Sequence, residues 1–544
     1  MDIIKKFLYY LNLLKLKLIR SFLNFPQDRE VKRGFIIIQI DGLSYNTLQF
    51  ALEKGYLKNI KKYILNDKFI LKKIYSPLPS NTPFFQKVIM YGDIEALPGF
   101  RWFNKKRKKY YTFLNPETAE EVENCIKKSG KKGILKNGAS YLNFYSGDAS
   151  RNYLTMSKIL KTSLRKRLSG LKIALIIFLN IFTIIRVAYW SLKELINEIK
   201  DNLYYYFNDL TQRNSMFFPF LRILNNVIIT EYITSGVCTE ILCGTSKIYL
   251  TLNAYDELAH QRGATSRSSL KILKLIDKSV FKIFQFAKYS KVRKYDIFIL
   301  SDHGSANSVP FYKLFKKNVK DILKKYQVEE HSDRFSKKRR NIQFHILNKI
   351  KIHSLKGDIP KFFSRIYRNN YLGKNLYQFN IKEINLVSFG PVSHLYFNKF
   401  ENKINFNEIT REYNFILIEL LSHRGIGWLC MQHENNSVII LEKNSYSKIK
   451  NGKIVEGELK KIILNENELI YLENMVKHEE SGDILIFSNY FNKHIINFED
   501  QMSCHGGIGF NQNDAFLIFP KHKAFQLTNC HLPLQLYNFF INSY

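Results

Sequence analysis

The sequence predicts a doubly wound α/β fold with a mixed, mainly parallel sheet, a helical insertion and a smaller α+β cap subdomain. Three observations lead to this prediction. Apolar runs of strand length, at 35–40, 247–253 and 295–300, alternate with helical segments. Acidic and histidine residues follow these runs, at the strand ends where open α/β sheets bind ligands. Between 151 and 245 the strand signals disappear, and basic, apolar helical segments take their place.

Composition narrows the classes of protein. At 544 residues and 45% hydrophobic content, the chain is long enough for several domains and is not a disordered protein. Its formal net charge of +36 favours nucleic acid or an anionic membrane surface as a partner, although the Lys- and Asn-rich bias of an AT-rich genome explains part of that excess. The six cysteines form no Cys-x-x-Cys pair, so we expect a reducing compartment.

The first 25 residues predict a basic amphipathic helix that ends at Pro26. At about 100° per residue, large apolar side chains share one face and basic side chains lie opposite. Lys15, Lys17 and Arg20 interrupt the apolar core that a signal peptide would need. We therefore expect binding to a membrane surface, with packing against the protein's own body as the alternative.

The folded body starts near Gly34. The strand 35–40 ends at Asp41, and a helix is predicted over 44–65. In the segment 78–83 two prolines bracket small polar residues and fix the local backbone. Thr82 in this turn is a candidate nucleophile, because a hydroxyl needs a metal or a base to activate it. A turn with a purely structural role is the alternative.

The insertion at 151–245 contains the most apolar stretch of the chain, 171–192. Its polar residues fall within about half of the helix circumference, which indicates an amphipathic helix with a broad apolar face rather than a membrane span. A second such segment covers 217–233. Candidate site residues precede and follow the insertion, so it must cross a membrane an even number of times or lie on its surface. We favour a helical hairpin in the membrane interface over a soluble helical cap.

The α/β pattern resumes after the insertion. The strand 247–253 leads to Asp256 and His260, whose spacing of four places both on one helical face, where they could bind one metal. The strand 295–300 ends at Asp302 and His303. Each pattern alone is also compatible with an ordinary surface helix or turn.

The last third of the chain mixes short strands with helices. We predict a cap over 343–475, in which His394 is structural rather than a ligand. The strand 483–488 precedes His505, and the apolar strand 515–520 closes the sheet. The glycines after His505 form neither a GxGxxG nor a P-loop pattern, so a nucleotide cradle is not predicted.

Five motifs in chain order carry a resemblance to a known family: Asp41-Gly42, Pro79-Ser80-Asn81-Thr82, Asp256-x-x-x-His260, Asp302-His303-Gly304 and His505-Gly506. The set resembles the alkaline phosphatase superfamily, and within it the type I phosphodiesterase/nucleotide pyrophosphatase branch. The resemblance implies two divalent metal ions, with zinc expected and manganese as the alternative. It further implies that Asp256, His260 and His505 hold one ion, that Asp41, Asp302 and His303 hold the other, and that Thr82 bridges them as the nucleophile.

One feature departs from that branch. Its phosphate-contacting asparagine would fall at Phe103 of this chain, so the neighbouring Asn104 is our candidate for substrate binding. Gly92 and Gly99, ten and seventeen residues after Thr82, match the branch.

The expected function is that of a metal-dependent phosphodiesterase or pyrophosphatase acting on a phosphate-ester small molecule or a lipid. A phosphomonoesterase, phosphotransferase or mutase on the same scaffold is the alternative, and a non-enzymatic basic membrane-binding protein is a third class. We expect an anionic membrane surface as partner, no specific nucleic acid, and a location at the cytoplasmic face of a membrane. The predicted parts are an N-terminal helix (1–30), three core parts (31–150, 246–342 and 476–544), the insertion (151–245) and the cap (343–475).

Overall fold

The computed structural model describes residues 33–65, 68–160, 181–207, 218–323, 328–331, 384–460 and 464–544. The predicted N-terminal helix at 1–25 lies outside these ranges, as does the part of the apolar stretch 171–192 that precedes residue 181. Their contact with a membrane therefore stays a prediction.

Seven strands form the central sheet. Their spatial order is Phe69–Tyr75, Asp514–Pro520, Tyr295–Leu300, Gly34–Ile40, Lys247–Leu252, Ala139–Tyr141 and Arg151–Tyr153. The last five of these run parallel to one another, whereas Asp514–Pro520 is antiparallel to both of its neighbours. The predicted mixed, mainly parallel sheet is confirmed.

Both faces of this sheet are buried, as its sequence indicates. Along the strand Gly34–Ile40, Ile36 and Ile38 enter one apolar cluster while Phe35 and Ile37 enter another. Side chains alternate between the two faces of a strand, so a run without polar residues fits only a strand that is covered on both sides.

Helices cover the two faces. They are Tyr45–Glu53, Thr82–Tyr91, Pro116–Lys128, Ala254–Arg262, Arg267–Lys288, Ala524–Leu527 and Pro533–Ser543, with short turns of other helix types at Ile60–Ile64, Met156–Lys158 and Lys521–Lys523. The single helix predicted over 44–65 is wrong in length. Gly55 has φ of +72°, a left-handed conformation that ends the first helix, and a π-helical turn follows at Ile60–Ile64.

The insertion is helical in its described part. It consists of Ile181–Phe207, Phe218–Ile223 with its π-helical continuation Leu224–Ile229, and Thr230–Cys243. The edge strand Arg151–Tyr153 also lies inside the range that we predicted to be helical. It is too short to leave a hydrophobic pattern. Within the described ranges, no helix combines the length and the apolar character that crossing a bilayer requires.

A second sheet of eight strands packs beside the first. Its spatial order is Val328–His331, Ile384–Phe389, Val392–Phe397, Ile484–Ser488, Ile426–His433, Ser437–Glu442, Ser445–Lys450 and Lys453–Gly457. All adjacent pairs except the first are antiparallel. Trp428 and Phe487 of this sheet join the same apolar cluster as Phe298 of the central sheet, so the two sheets share a core.

One strand of the second sheet differs from the prediction. Ile484–Ser488 pairs between Val392–Phe397 and Ile426–His433, although we placed it in the closing part of the core, 476–544. An apolar run shows that a strand is buried but not which sheet receives it. His394 lies in this sheet and accepts a hydrogen bond at Nδ1 from the Gly482 N–H at 3.0 Å, a structural role as predicted.

The remaining elements are small. A four-stranded sheet contains Tyr490–Phe491, His494–Asn497, Ala306–Pro310 and Ser503–Cys504, and a hairpin contains Arg101–Asn104 and Lys109–Thr112. The helices Phe311–Phe315, Val319–Ile322, Phe406–Ser422 and Glu466–Lys477 complete the fold.

Candidate active site

Three parallel strands bring three aspartates to one edge of the central sheet. Asp41 and Asp302 follow adjacent strands whose register pairs Gln39 with Leu300. Asp256 lies in the first turn of the helix after Lys247–Leu252, the strand on the other side. Gly42 has φ of +69°, and a Cβ added there would lie 2.4 Å from Asp256 Oδ1. Only glycine therefore lets the backbone after Asp41 approach Asp256 so closely.

Thr82 is the first residue of the helix Thr82–Tyr91. Its Oγ1 donates a hydrogen bond to Asp41 Oδ1 at 3.1 Å and lies 3.3 Å from His303 Nε2. Gln86, one turn later, donates from Nε2 to Gln39 Oε1 at 3.1 Å and to Thr251 Oγ1 at 3.0 Å. These bonds fasten the start of the helix to the sheet and hold the Thr82 hydroxyl against the strand ends.

His505 arrives from the last third of the chain. Its Nδ1 donates to the Ser80 carbonyl at 2.9 Å, and Ser80 Oγ both accepts from the Gly506 N–H and donates to the Gly507 carbonyl at 3.0 Å. The His505 and His303 rings stack with centroids 3.9 Å apart. The turn that carries Thr82 is thereby joined to the His505 loop.

The three imidazoles share one protonation pattern. Each Nδ1 faces a backbone carbonyl, and a carbonyl oxygen can only accept, so Nδ1 carries the hydrogen and Nε2 keeps its lone pair in the neutral ring. The pairs are His260 with Ser503 at 3.0 Å, His303 with Gly304 at 3.3 Å and His505 with Ser80 at 2.9 Å. The Nε2 atoms of His260 and His505 face each other at 3.2 Å. Two facing lone pairs repel, and a cation between them removes the repulsion.

The pKa shifts of the site residues also favour a bound cation. Burial, reinforced by Asp302 and Asp256, raises the pKa of Asp41 well above its usual value. Burial also raises the pKa of Asp302 to about 6. It lowers the pKa of His303 to about 4 and that of His505 to about 3, so these rings are neutral near pH 7. The neutral rings of His303 and His505 therefore add no positive charge beside the buried carboxyls of Asp41 and Asp302.

The donor atoms fit divalent metal ions. Asp41, Asp302 and His303 offer donor atoms within 4.8 Å of one another, and so do Asp256, His303 and His505. Asp302 Oδ2 is buried without a hydrogen-bond partner in the described part of the chain. Imidazole nitrogen with carboxylate oxygen is a donor set for zinc and for manganese.

The group Asp41, Asp302 and His303 is the set of three ligands predicted for one ion. The group Asp256, His303 and His505 differs from the set predicted for the other ion, because it contains His303 in place of His260. His260 nevertheless belongs to the cluster, because its Nε2 lies 3.1 Å from Asp256 Oδ2. The structure thus brings together Thr82 and all the predicted metal ligands.

Asn104 is placed elsewhere. It lies in the hairpin strand Arg101–Asn104, its Nδ2 donates to Glu480 Oε1, and its Oδ1 accepts from the Arg107 N–H at 2.7 Å. It is not among the described residues that line the pocket. The described position of Asn104 gives it no contact with the cavity, and its role in substrate binding stays a prediction. Counting from the motif fixed only its position in the chain, and the hairpin turns its amide toward Glu480.

A cavity of about 160 Å³ opens beside Thr82, Asp41 and His505. Aromatic and aliphatic side chains form much of its wall: Phe100, Phe113, Leu142, Phe144, Leu154, Met156, Ile229 and Phe389. Arg101 and Glu499 form an ion pair at 2.7 Å in the same wall. The reactive edge is polar, and the space in front of it suits an ester with an apolar group.

Sequence reasoning missed several residues around this cavity. Asn81 is the N-cap of the Thr82 helix, with Oδ1 accepting from the Phe84 N–H at 3.0 Å. An asparagine before Thr-Pro is an N-cap signature, so that role was recognisable. Asn225 and Ile229 also line the cavity, and they come from the insertion. Nothing in the sequence links a helical insertion to a pocket wall.

This chain is similar to known proteins at the level of a family model and of solved structures. The family model of the type I phosphodiesterase/nucleotide pyrophosphatase family matches residues 35–357. A comparison with curated protein sequences gave no match. Among solved structures, murine ectonucleotide pyrophosphatase/phosphodiesterase 5, an inactive variant in complex with AMP, is similar with a TM-score of 0.41 and 9% identity over 90% of this chain and 88% of that one. Phosphonoacetate hydrolase from Sinorhizobium meliloti 1021 with phosphonoformate is similar with a TM-score of 0.43 and 11% identity over 95% of this chain and 96% of that one.

Proposed function

This chain belongs to the type I phosphodiesterase/nucleotide pyrophosphatase family, and on that premise we propose that it cleaves phosphodiester or pyrophosphate bonds with Thr82 as nucleophile and two divalent ions as cofactors. It is a phosphoric ester hydrolase. Zinc is the expected metal and manganese the alternative. The observation that carries the proposal is the position of the Thr82 hydroxyl, 3.1 Å from Asp41 Oδ1 and 3.3 Å from His303 Nε2.

The residues of the chain divide the work. Asp41, Asp302 and His303 would hold one ion, and Asp256, His260 and His505 the other. The ions, when bound, lower the pKa of the nucleophilic hydroxyl and stabilise negative charge that develops on the phosphoryl oxygens. Asp41 accepts the hydrogen of the Thr82 hydroxyl and so directs its oxygen lone pairs toward the cavity.

The reaction has two displacements. Thr82 Oγ1 attacks phosphorus and the bond from phosphorus to the leaving oxygen breaks with inversion, while the hydroxyl proton passes by way of solvent to that leaving oxygen. Water then attacks the phosphothreonine ester, which releases the phosphorylated product and restores the hydroxyl. The helix Thr82–Tyr91 begins at the nucleophile, so its positive end would lie beside the reacting phosphoryl group and favour an anion there.

The lining of the cavity supports one class of substrate. Its wall is largely aromatic and aliphatic, and the ion pair of Arg101 with Glu499 satisfies the charges placed in it. An ester with one apolar or aromatic substituent fits this wall better than a compact, fully charged one. A small phosphate ester with an aromatic group or a lipid phosphate ester is the substrate that we propose.

The test is a substrate panel on metal-loaded full-length protein. We expect bis-p-nitrophenyl phosphate to be hydrolysed faster than p-nitrophenyl phosphate, and chelation to abolish turnover. The panel also includes nucleotides and phospholipids. Hydrolysis of none of these esters by the metal-loaded protein would refute the proposal.

A monoesterase or phosphotransferase is the second candidate. Phe103 occupies the position of the branch's phosphate-contacting asparagine and is buried against Tyr396, with ring centroids 5.8 Å apart. Without the asparagine that contacts phosphate in that branch, the site could favour phosphomonoesters over phosphodiesters. Faster turnover of the monoester, or transfer of phosphate to an added alcohol, would establish this alternative.

A further inference from the structure

The helix Ile181–Phe207, here the insertion helix, carries a row of apolar side chains on its outside. Ile185, Tyr189, Leu192, Ile196, Ile199 and Leu203 are each between 44% and 59% exposed. At about 100° per residue they fall within a sector of about 80°, and a rise of 1.5 Å per residue makes the row about 27 Å long. We call these six residues the apolar row.

The opposite side of the same helix is charged and buried. Arg222 donates to Glu194 at 2.8 Å, to Glu198 at 2.6 Å and to Asp201 at 2.9 Å. Arg262 donates to the other oxygen of Glu198 at 2.6 Å. A surface helix of a soluble protein has its apolar side inward and its charges outward, so this helix is reversed.

These ion pairs also fix the rotation of the helix. Glu194 and Glu198 are buried and anchored to residues of two other helices, Arg222 and Arg262. Turning the apolar row inward would expose those arginine contacts and break them. The outward direction of the row is therefore built into the packing.

Basic side chains run along one flank of the apolar row. Arg186, Lys193 and Lys200 lie about 60–100° around the insertion helix from its middle. Lys278 of the helix Arg267–Lys288 shares the Trp190 ring with Lys193, with Nζ atoms 4.8 and 4.6 Å from the ring centroid. Lys271 of the same helix is close enough to Lys193 and Lys200 that, after burial, these charges contribute to lowering its pKa. We call these basic side chains the basic flank; of them, Arg186 is paired with Glu231.

We propose that the apolar row and its basic flank form a docking surface for an anionic lipid bilayer. The row supplies side chains that insert at the boundary between headgroups and acyl chains, and the flank supplies charges for anionic headgroups. A second copy of this chain is a poor occupant, because each copy carries a net charge of +36 and would bring its own basic flank. The inference concerns binding and does not depend on the proposed catalysis.

The docking surface and part of the pocket wall belong to the same insertion. Arg222 precedes the π-helical turn Leu224–Ile229, and Asn225 and Ile229 of this turn line the cavity beside Thr82. One insertion thus holds the bilayer on its outside and forms part of the pocket wall on its inside.

An environment-sensitive fluorophore tests the contact at a single position. The full chain, with the exposed Cys125 replaced by serine, is labelled at Leu192→Cys, and separately at Phe415→Cys as the matched control. Phe415 is an exposed apolar residue on the distant helix Phe406–Ser422, 73% exposed. With vesicles of phosphatidylserine and phosphatidylcholine, we expect a blue shift and brighter emission at position 192 and none at 415.

Three results would overturn the proposal. Emission at 192 that is already blue-shifted without vesicles would mean that another segment of the chain covers the row. Equal responses at 192 and 415, or none at either, would mean that this surface does not meet the lipid. A concentration-dependent dimer that dissociates on substitution of the row would mean that a second copy is the occupant.

Substitution gives a second measurement. Replacing Leu192, Ile196 and Ile199 together by glutamine should weaken co-sedimentation with the anionic vesicles at least about tenfold, because three insertable side chains are lost. The matched control replaces Phe415 and Ile418 by glutamine and should leave binding unchanged. Binding of the wild type should weaken with salt and be lower on pure phosphatidylcholine. Unchanged binding of the triple variant, with its fold intact by circular dichroism, would contradict the assignment.

Discussion

Two clusters of buried carboxylates in this molecule differ in the groups that neutralise their charge. In the insertion, Glu194, Glu198 and Asp201 surround Arg222, and Arg262 adds a second cation, so the chain supplies the positive charge itself. At the edge of the central sheet, Asp41, Asp256 and Asp302 have imidazoles as ion-pair partners. Burial lowers the pKa of His303, one of these partners, and that of the neighbouring His505, so both rings are neutral near pH 7.

The difference separates structural from functional charge. Breaking a buried pair is costly, and a chain that only needs rigidity neutralises its own carboxylates with arginine, as the insertion does. A cluster short of positive charge is neutralised either by protons, as the raised pKa values of Asp41 and Asp302 indicate, or by a bound cation. The donor set of the site fits a metal ion, whereas the insertion already pairs its carboxylates with arginine.

The largest effect is expected at the nucleophile. Thr82→Ala should lower turnover of the phosphodiester at least about a thousandfold, since the attacking oxygen is removed. Metal content and thermal stability should stay close to wild type, because the aspartates and histidines keep their places. Thr82→Ser, which retains a hydroxyl, is the matched control and should keep measurable activity. Near wild-type turnover by the alanine variant would exclude a covalent mechanism through this residue.

Metal content should respond next. His303→Ala and His505→Ala should each lower bound metal and activity together, by at least about tenfold in metal affinity, because each ring offers an Nε2 lone pair to the cluster. The control is His394→Ala, which removes a buried imidazole of the second sheet. Its metal content, measured by inductively coupled plasma spectrometry, should equal that of the wild type. A loss of metal in the control would show that destabilisation alone explains the effect.

The cluster at the edge of the central sheet was predictable from the sequence, because its residues lie next to clear strand and turn patterns. Asp41, Asp302 and the Asp256–His260 pair each follow an apolar run, and parallel strands end at the same edge. Thr82 stands in a turn with two prolines. His505 was recognised only through the resemblance of the whole motif set. These residues could be assigned because local pattern and global topology agree.

The cluster of buried charges in the insertion was not predictable. Glu194 and Arg222 are 28 residues apart, and no periodicity pairs them. The apolar face of 171–192 was predicted, but a helix with charges buried and apolar residues exposed reads the same as its inverse until its neighbours are known. The direction of the Asn104 side chain was not predictable for a related reason. The hairpin turns its amide toward Glu480, and the position of a residue in the chain does not reveal that direction.

Substitution of Arg222, the central arginine of the insertion, tests whether its buried ion pairs stabilise the fold without affecting metal binding. Arg222→Met should lower the free energy of unfolding by about 3–5 kcal/mol, because it leaves the carboxylates of Glu194 and Glu198 buried without this partner. Metal affinity should be unaffected. Chemical denaturation with metal present measures the first, and metal titration the second.

Its matched control is Arg186→Met on the same helix. Arg186 is more than a third exposed and pairs with Glu231, which keeps Lys282 at 3.0 Å after the substitution. The loss should be below about 1 kcal/mol. Equal losses for the two variants would mean that the buried network has no special role in holding the insertion.

The smallest effect is expected at Asn104, which belongs to neither cluster. Its amide donates to Glu480, and its carbonyl oxygen accepts from the Arg107 N–H at 2.7 Å. Asn104→Ala should therefore lower the free energy of unfolding by about 1–2 kcal/mol through these lost bonds. The kcat/KM for the phosphodiester should stay within about twofold of wild type, because the side chain does not line the cavity. A larger fall in kcat/KM with unchanged stability would return Asn104 to the substrate site and require the hairpin to move when substrate binds.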